Sequence, residues 1–281
     1  MNYDVIVLGM GPAGLAAAVA ARGRNKTVLV VGNHWQDSPL AKAERVDNYL
    51  GLPGMTGQEM LSTFYDHART AGAEMVHGRV ISLMEWEGFM LTVGSEVYQG
   101  KTLVLAPGVV RQAKYPGEQE FLGRGVSYCA TCDGMLYRNK PVVVVGRSKD
   151  APQEANYLSS IGCQVTYVSQ KEPVDLEENI AVLRAGKLEI RGDSKVTALL
   201  ADGQEIPCAG VFVLRDAVAS TDLLPALETK QGAVVVNREM ATNIPGVFAA
   251  GDCTGVPLQI AKAVGEGHIA GLSAADYADK L

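Results

Sequence analysis

Short apolar runs closed by glycine alternate along the chain with longer stretches in which apolar positions recur at helical spacing. Runs of this kind read as buried parallel strands and the stretches between them as crossover helices. The pattern predicts strands at Val5–Leu8, Val28–Val31, Met75–Leu83 and Leu103–Ala106, with helices at Pro12–Arg22 and Gly57–Gly72. A connection marked by proline and glycine, from Ala106-Pro107-Gly108 to Tyr115-Pro116-Gly117, opens a second set. That set has strands near Val142–Val145, Gln164–Val168 and Val211–Leu214, and a helix over about Pro152–Ile161. Thr242–Asp252 then ends a strand at an acidic residue, and a helix over about Leu258–Asp279 closes the chain. Two βαβ sets in one chain predict an α/β protein of two Rossmann-like, three-layer (ββα/βαβ) domains, the second inserted in the first. The expected boundaries are 1–112 and 240–281 for the outer domain and 113–239 for the insert.

The two turns that follow the first strand of each set differ. The first reads Gly9-Met10-Gly11-Pro12-Ala13-Gly14. Gly9 permits the tight turn, Gly11 lets backbone approach a pyrophosphate, and Gly14 allows close packing of helix on strand. The helix start then offers unpaired N–H groups and a positive dipole end. The second turn reads Gly146-Arg147-Ser148-Lys149-Asp150-Ala151. Ser148 puts a side chain where the phosphate needs bare backbone, although Pro152 still suits a helix start. One nucleotide cofactor is expected, and a second has no seat.

Composition narrows the class. A hydrophobic fraction of 47% and 31 glycines in 281 residues suit a parallel-sheet protein with many tight turns. A net charge of −6 and the lack of any lysine/arginine run argue against a nucleic-acid partner. No apolar run has bilayer length and no signal peptide is legible, so a cytoplasmic protein is expected.

Of the five cysteines, Cys163, Cys208 and Cys253 are far apart; Cys163, in the β-like Gly162–Ser169 segment, and Cys208, in an apolar strand, read as small buried hydrophobes. Cys129-Ala130-Thr131-Cys132-Asp133 is the one close pair. Half of a zinc site would need a second Cys-x-x-Cys or a His pair, which is lacking, so no metal is expected and a redox dithiol is the better reading.

With these motifs in hand, the chain resembles the low-molecular-weight flavin thioredoxin reductases over essentially its whole length. The resemblance rests on the Gly9–Gly14 turn, on Tyr115–Phe121, on Gly125-Val126-Ser127-Tyr128-Cys129-Ala130-Thr131-Cys132-Asp133-Gly134, and on Gly246-Val247-Phe248-Ala249-Ala250-Gly251-Asp252. It implies FAD held by Gly9, Gly11, Pro12, Ala13 and Gly14, with Gly251 and Asp252 on the ribityl or phosphate side and Gln259 at the start of the last helix. It implies further that Cys132 faces the flavin, that Cys129 exchanges with thioredoxin, and that Asp133 serves as acid and base for the departing thiolate. A homodimer, and a rotation about the Arg111–Tyr115 and Val235–Met240 connections, are implied by the same likeness.

Two departures matter. The acidic residue due at the end of the second strand, about 20 positions after the first turn, is absent. Gly32-Asn33-His34 stands there, which leaves backbone, Asn33 or His34 to hold the adenosine ribose; Trp35 reads as a core or surface aromatic. In the second set, the strand Val165–Val168 is followed by Ser169-Gln170-Lys171-Glu172-Pro173, without the arginines that clamp a 2′-phosphate. The chain therefore looks like the pyridine-nucleotide-independent branch, the ferredoxin-dependent flavin thioredoxin reductases, in which reduced ferredoxin supplies electrons. The net acidity is awkward for an acidic donor protein. Arg22, Arg24 and Lys26, or Arg111 and Lys114, are the local basic groups. The alternatives are a flavin dithiol oxidase passing electrons to oxygen, a flavin redox sensor without turnover, and an enzyme using NAD(P)H in an unusual mode.

Overall fold

The computed structural model describes residues 2–109, 114–215 and 220–281. The chain divides into two compact units, one of residues 1–110 with 217–281 and the other of residues 111–216.

The outer unit is built on a seven-stranded sheet. Strands Glu74–His77, Val28–Gly32, Asn2–Leu8 and Glu96–Leu105 lie side by side in parallel. Glu96–Leu105 then carries two neighbours on its far side: Phe89–Val93 runs antiparallel to its first half, and Val247–Ala249 runs parallel to Leu103–Leu105. Alternate side chains separate the two cores. Val5, Val7, Val28 and Val30 face helices Pro12–Arg22 and Ile260–Ala278, while Ile6, Leu8, Leu29 and Val31 face the antiparallel strands. The result is three layers, as the pattern predicts.

The inserted unit repeats the plan. Its parallel sheet runs Ala181–Arg184, Gln164–Ser169, Pro141–Arg147, Gly210–Arg215 and Val126–Ser127. Helix Ala151–Ser160 covers Val142, Val144, Phe212 and Leu214, and an antiparallel meander of Leu188–Gly192, Val196–Ala201 and Gln204–Pro207 covers the other face. Both units are Rossmann-like.

Three expectations shift. The single strand expected at Met75–Leu83 is two, Glu74–His77 and Val80–Glu85. Gly78 between them has φ +154°, and a Cβ there would meet Val93 at 2.5 Å, so the chain breaks and reverses its partner. The return to the outer unit comes near residue 217 instead of 240, because Leu224, Leu227 and Val234 bury in the outer core beside Leu29 and Leu103. Cys208 lies just after a strand, not within one, and is buried. Residues 111–113 of the expected Arg111–Tyr115 connection lie outside the described residues.

Candidate active site

The first glycine turn has the geometry its sequence demands. Gly9 sits at φ +123°, and a Cβ on it would fall 2.1 Å from the Ala106 carbonyl oxygen. A Cβ on Gly14 would lie 1.9 Å from the Gly9 oxygen, which shows how closely helix Pro12–Arg22 presses on the turn. Gly11, the N-cap, is the opposite case: a Cβ there would meet nothing within 4 Å. Pro12 occupies the first turn, and the N–H groups of Ala13 and Gly14 have no acceptor within the helix. The side chain of Ala13 is buried against Gly251, and Gly267 presses on its backbone carbonyl, so this residue can reach a ligand only through its N–H. Open backbone at Gly11 beside a helix start is what a pyrophosphate requires, and the cradle fits FAD.

Asp252 follows Gly251, which adopts φ +86°. Burial raises the Asp252 pKa; the Lys262 charge opposes that and the Glu266 charge adds to it. These two partners were not legible in the sequence. Lys262 stands in the first turn of the last helix, where the helix dipole disfavours a cation. It is held there by the carbonyls of Gly251 (2.8 Å) and Gly255 (2.7 Å), the Thr254 hydroxyl (2.8 Å) and the Glu266 carboxylate (3.2 Å). Glu266 in turn accepts the Gly251 N–H at 2.9 Å, so one ion pair fixes the whole Gly251–Gly255 loop. Gln259 caps that helix, is exposed, and accepts a hydrogen bond from Asn48 at 2.9 Å.

At the carboxyl end of Val28–Gly32, Asn33 and His34 are exposed. His34 stacks on His77, with ring centroids 4.1 Å apart, and the Tyr65 hydroxyl lies 3.1 Å from His77 Nε2. Burial, then the His34 charge, lowers the His77 pKa. Sequence spacing gave no sign of this pair, since 43 residues separate its members. Trp35 packs on the outer core against Tyr65.

In the inserted unit Cys129 and Cys132 form a disulfide. Cys129 caps the short helix Ala130–Asp133, and its Sγ accepts the Cys132 N–H at 2.9 Å. Cys129 is buried and Cys132 is exposed. Asp133 follows directly and accepts a hydrogen bond from the Ser127 hydroxyl at 2.7 Å. The three remaining thiols are buried, and burial pushes those of Cys208 and Cys253 up to about 12. They are inert at neutral pH.

The second turn is filled by the chain itself. A Cβ on Gly146 would lie 1.9 Å from the Tyr167 hydroxyl oxygen. Among the described residues the buried Ser148 Oγ has no hydrogen-bond partner. Arg147 turns away to donate to the Tyr115 hydroxyl at 2.6 Å. Lys171 is exposed, and Glu172 pairs with Arg184, an arginine that the strand order brings to this edge from a neighbouring strand. The expected basic patch also has partners: Arg24 faces Asp276 at 3.9 Å, and Lys26 pairs with Asp279. Arg111 lies outside the described residues, while Lys114 donates to Gln119.

The pyridine nucleotide-disulphide oxidoreductase family matches residues 3–267. The chain belongs to that family. Among curated relatives it is 35% identical to the thioredoxin reductase of Aquifex aeolicus, over 89% of this chain and 85% of that one. It is 34% identical to the thioredoxin reductase of Treponema pallidum, over 100% and 98%. Among solved structures it is similar to a ferredoxin-flavin thioredoxin reductase from Clostridium acetobutylicum, with 39% identity, TM-score 0.90 and coverage of 100% and 99%. A thioredoxin reductase from Gloeobacter violaceus follows at 33% identity, TM-score 0.80 and coverage of 99% and 95%. The protein is therefore a flavin disulfide oxidoreductase of the thioredoxin reductase group, and its cofactor is FAD. Among the described residues no helix is long and apolar enough to cross a membrane, and no cluster of His, Cys, Asp and Glu could hold a metal ion.

Proposed function

We propose that this enzyme reduces thioredoxin with electrons from reduced ferredoxin and not from NAD(P)H. The observation that carries the reading is the occupied second turn, where Tyr167 lies against Gly146 and Ser148 projects a side chain. A nicotinamide dinucleotide needs that turn bare, and the segment after the next strand offers Lys171 with an adjacent acid in place of an arginine clamp. The similarity to a structure described as a ferredoxin-flavin thioredoxin reductase points the same way.

Gly11, the Ala13 and Gly14 N–H groups and Asp252 would hold FAD. Bound FAD supplies the conversion of electrons received singly into a pair. Two electrons and two protons convert the Cys129–Cys132 disulfide to a dithiol. One thiolate attacks the thioredoxin disulfide, the S–S bond of the partner breaks, and Asp133 protonates the departing sulfur. The second cysteine then attacks the mixed disulfide, re-forms Cys129–Cys132 and releases reduced thioredoxin.

Family likeness gives the attack to Cys129, and the Cys132 N–H that points at its sulfur would stabilise a thiolate there. Exposure favours Cys132. Trapping of the mixed disulfide separates the two. Cytoplasmic residence and a homodimer complete the proposal on the same likeness. Its test is steady-state reduction of thioredoxin by the holoenzyme, with photoreduced ferredoxin or with NADPH. Turnover with ferredoxin alone supports it, and turnover with NADPH at a comparable rate overturns it.

A further inference from the structure

Ser127 lies two residues before the redox pair, on a two-residue strand that runs parallel to Gly210–Arg215 through Val126–Val211 and Ser127–Phe212. It is a buried polar residue, 4% exposed. Its hydroxyl has three neighbours. It accepts the Cys129 N–H at 3.1 Å, lies 3.2 Å from the Cys129 carbonyl, and lies 2.7 Å from Asp133 Oδ2. The hydroxyl has one proton to give. The shorter contact, to a carboxylate, outcompetes the longer one to a neutral carbonyl. One side chain thus grips both ends of the helical turn that carries Cys-x-x-Cys: the Cys129 backbone through its lone pair, the Asp133 carboxylate through its proton.

We infer that Ser127 is a positioning residue, which holds the Asp133 carboxylate against the disulfide turn so that its proton is delivered where the sulfur departs. The inference rests on the acid/base reading of Asp133 proposed above. A carboxylate can otherwise rotate about two side-chain bonds toward water. A buried serine on an anchored strand removes that freedom at a site where proton transfer needs hydrogen-bond reach. Ser127 takes no part in the electron balance. The dithiol still gives two electrons and two protons to the thioredoxin disulfide, and Ser127 fixes where Asp133 stands when the partner sulfur leaves and takes its proton.

The test uses the FAD-loaded enzyme, reduced in advance, mixed anaerobically with oxidised thioredoxin in a single turnover. Four variants are compared: Asp133→Asn, Ser127→Ala, and the shape-matched pair Ser127→Thr and Ser127→Val. Ser127→Ala is expected to slow exchange about tenfold or more, the scale of a hydrogen bond to a charged group. FAD content and the rate of flavin reduction should stay unchanged. Ser127→Thr should recover most of the rate and Ser127→Val should not, a contrast that a purely steric role of residue 127 would not produce. Equal rates for the Thr and Val variants, or a wild-type rate for Ser127→Ala, overturn the inference. Asp133→Asn tells the two readings apart. If it is slow while Ser127→Ala is normal, Asp133 keeps its role and Ser127 loses its own. If Asp133→Asn exchanges at the wild-type rate, the acid/base reading fails and this inference with it.

Discussion

The Tyr167 hydroxyl rests against Gly146, so close that a Cβ on the glycine would fall 1.9 Å from the phenolic oxygen. The corresponding turn of the outer unit is built the other way. There a Cβ on Gly9 would meet the Ala106 and Pro107 backbone, and Gly11 faces open space. The two turns differ at the middle position, where Gly11 leaves open backbone and Ser148 carries a side chain.

If two side chains bar the nucleotide, trimming them should begin to admit it. The double variant Tyr167→Val, Ser148→Gly is expected to bind NADH or NADPH measurably, and the wild type is not. Calorimetric titration of each holoenzyme checks this. Equal binding by wild type and variant would show that the filled turn is not the barrier.

Gly11 and Gly14 should respond to alanine in opposite ways. Gly14→Ala drives a methyl into the Gly9 carbonyl and is expected to destabilise the outer unit by about 1–3 kcal/mol or more. Gly11→Ala meets no atom in the fold. Its unfolding midpoint without cofactor should hold, while FAD affinity falls by about tenfold or more, that is, by about 1.4 kcal/mol. Chemical denaturation of the apoprotein and fluorescence titration with FAD make the comparison.

The buried pair Glu118–Arg215 should govern acid stability of the inserted unit. Glu118 is fully buried. Burial pushes its carboxyl up, but hydrogen bonds from Arg215, the Tyr115 N–H and the Tyr128 hydroxyl, with the Arg215 charge, hold it below its ordinary value. A carboxylate lowered on folding adds stability above its unfolded pKa of about 4.3 and loses it as pH falls through the folded value. Arg215→Met strands the charge and is expected to cost about 3–5 kcal/mol at pH 7. Denaturant unfolding at pH 7 and below pH 4 should show the gap between wild type and variant narrowing in acid. A gap that does not change with pH would contradict the assignment.

Trapping settles which sulfur meets thioredoxin. Cys132→Ser should accumulate a mixed disulfide with a thioredoxin that lacks its resolving cysteine, and Cys129→Ser should not. The reverse pattern, read on a non-reducing gel and by mass, would give the exchange role to the exposed Cys132.

The sequence made the parallel strands and both turns legible because each depends on local chemistry: unbroken valine-rich runs, glycine where backbone must crowd, proline at a helix start. The antiparallel strands of both units are harder to read. Phe89–Val93 and Leu188–Gly192 are only five residues each and take their place from partners, and Gly78 hides a reversal inside an apolar run. At the site, contiguous motifs declared themselves, namely Cys129–Asp133, Gly9–Gly14 and Gly251–Asp252. Partners joined only by folding did not, among them His34 with His77, Lys262 with the Gly251–Gly255 loop, and Tyr167 with Gly146.

A dithiol oxidase would share the flavin and the cysteine pair but pass electrons to oxygen. An oxygen electrode should record little uptake when a small dithiol is added to the holoenzyme. Sustained uptake at the rate of thioredoxin turnover would favour that activity.

Flavin absorbance under anaerobic conditions probes the donor most directly. The oxidised holoenzyme is titrated in one cell with reduced ferredoxin and in another with excess NADPH. Bleaching at turnover rates with ferredoxin, and an unchanged spectrum with NADPH, is the expected result. Prompt bleaching by NADPH would contradict the account.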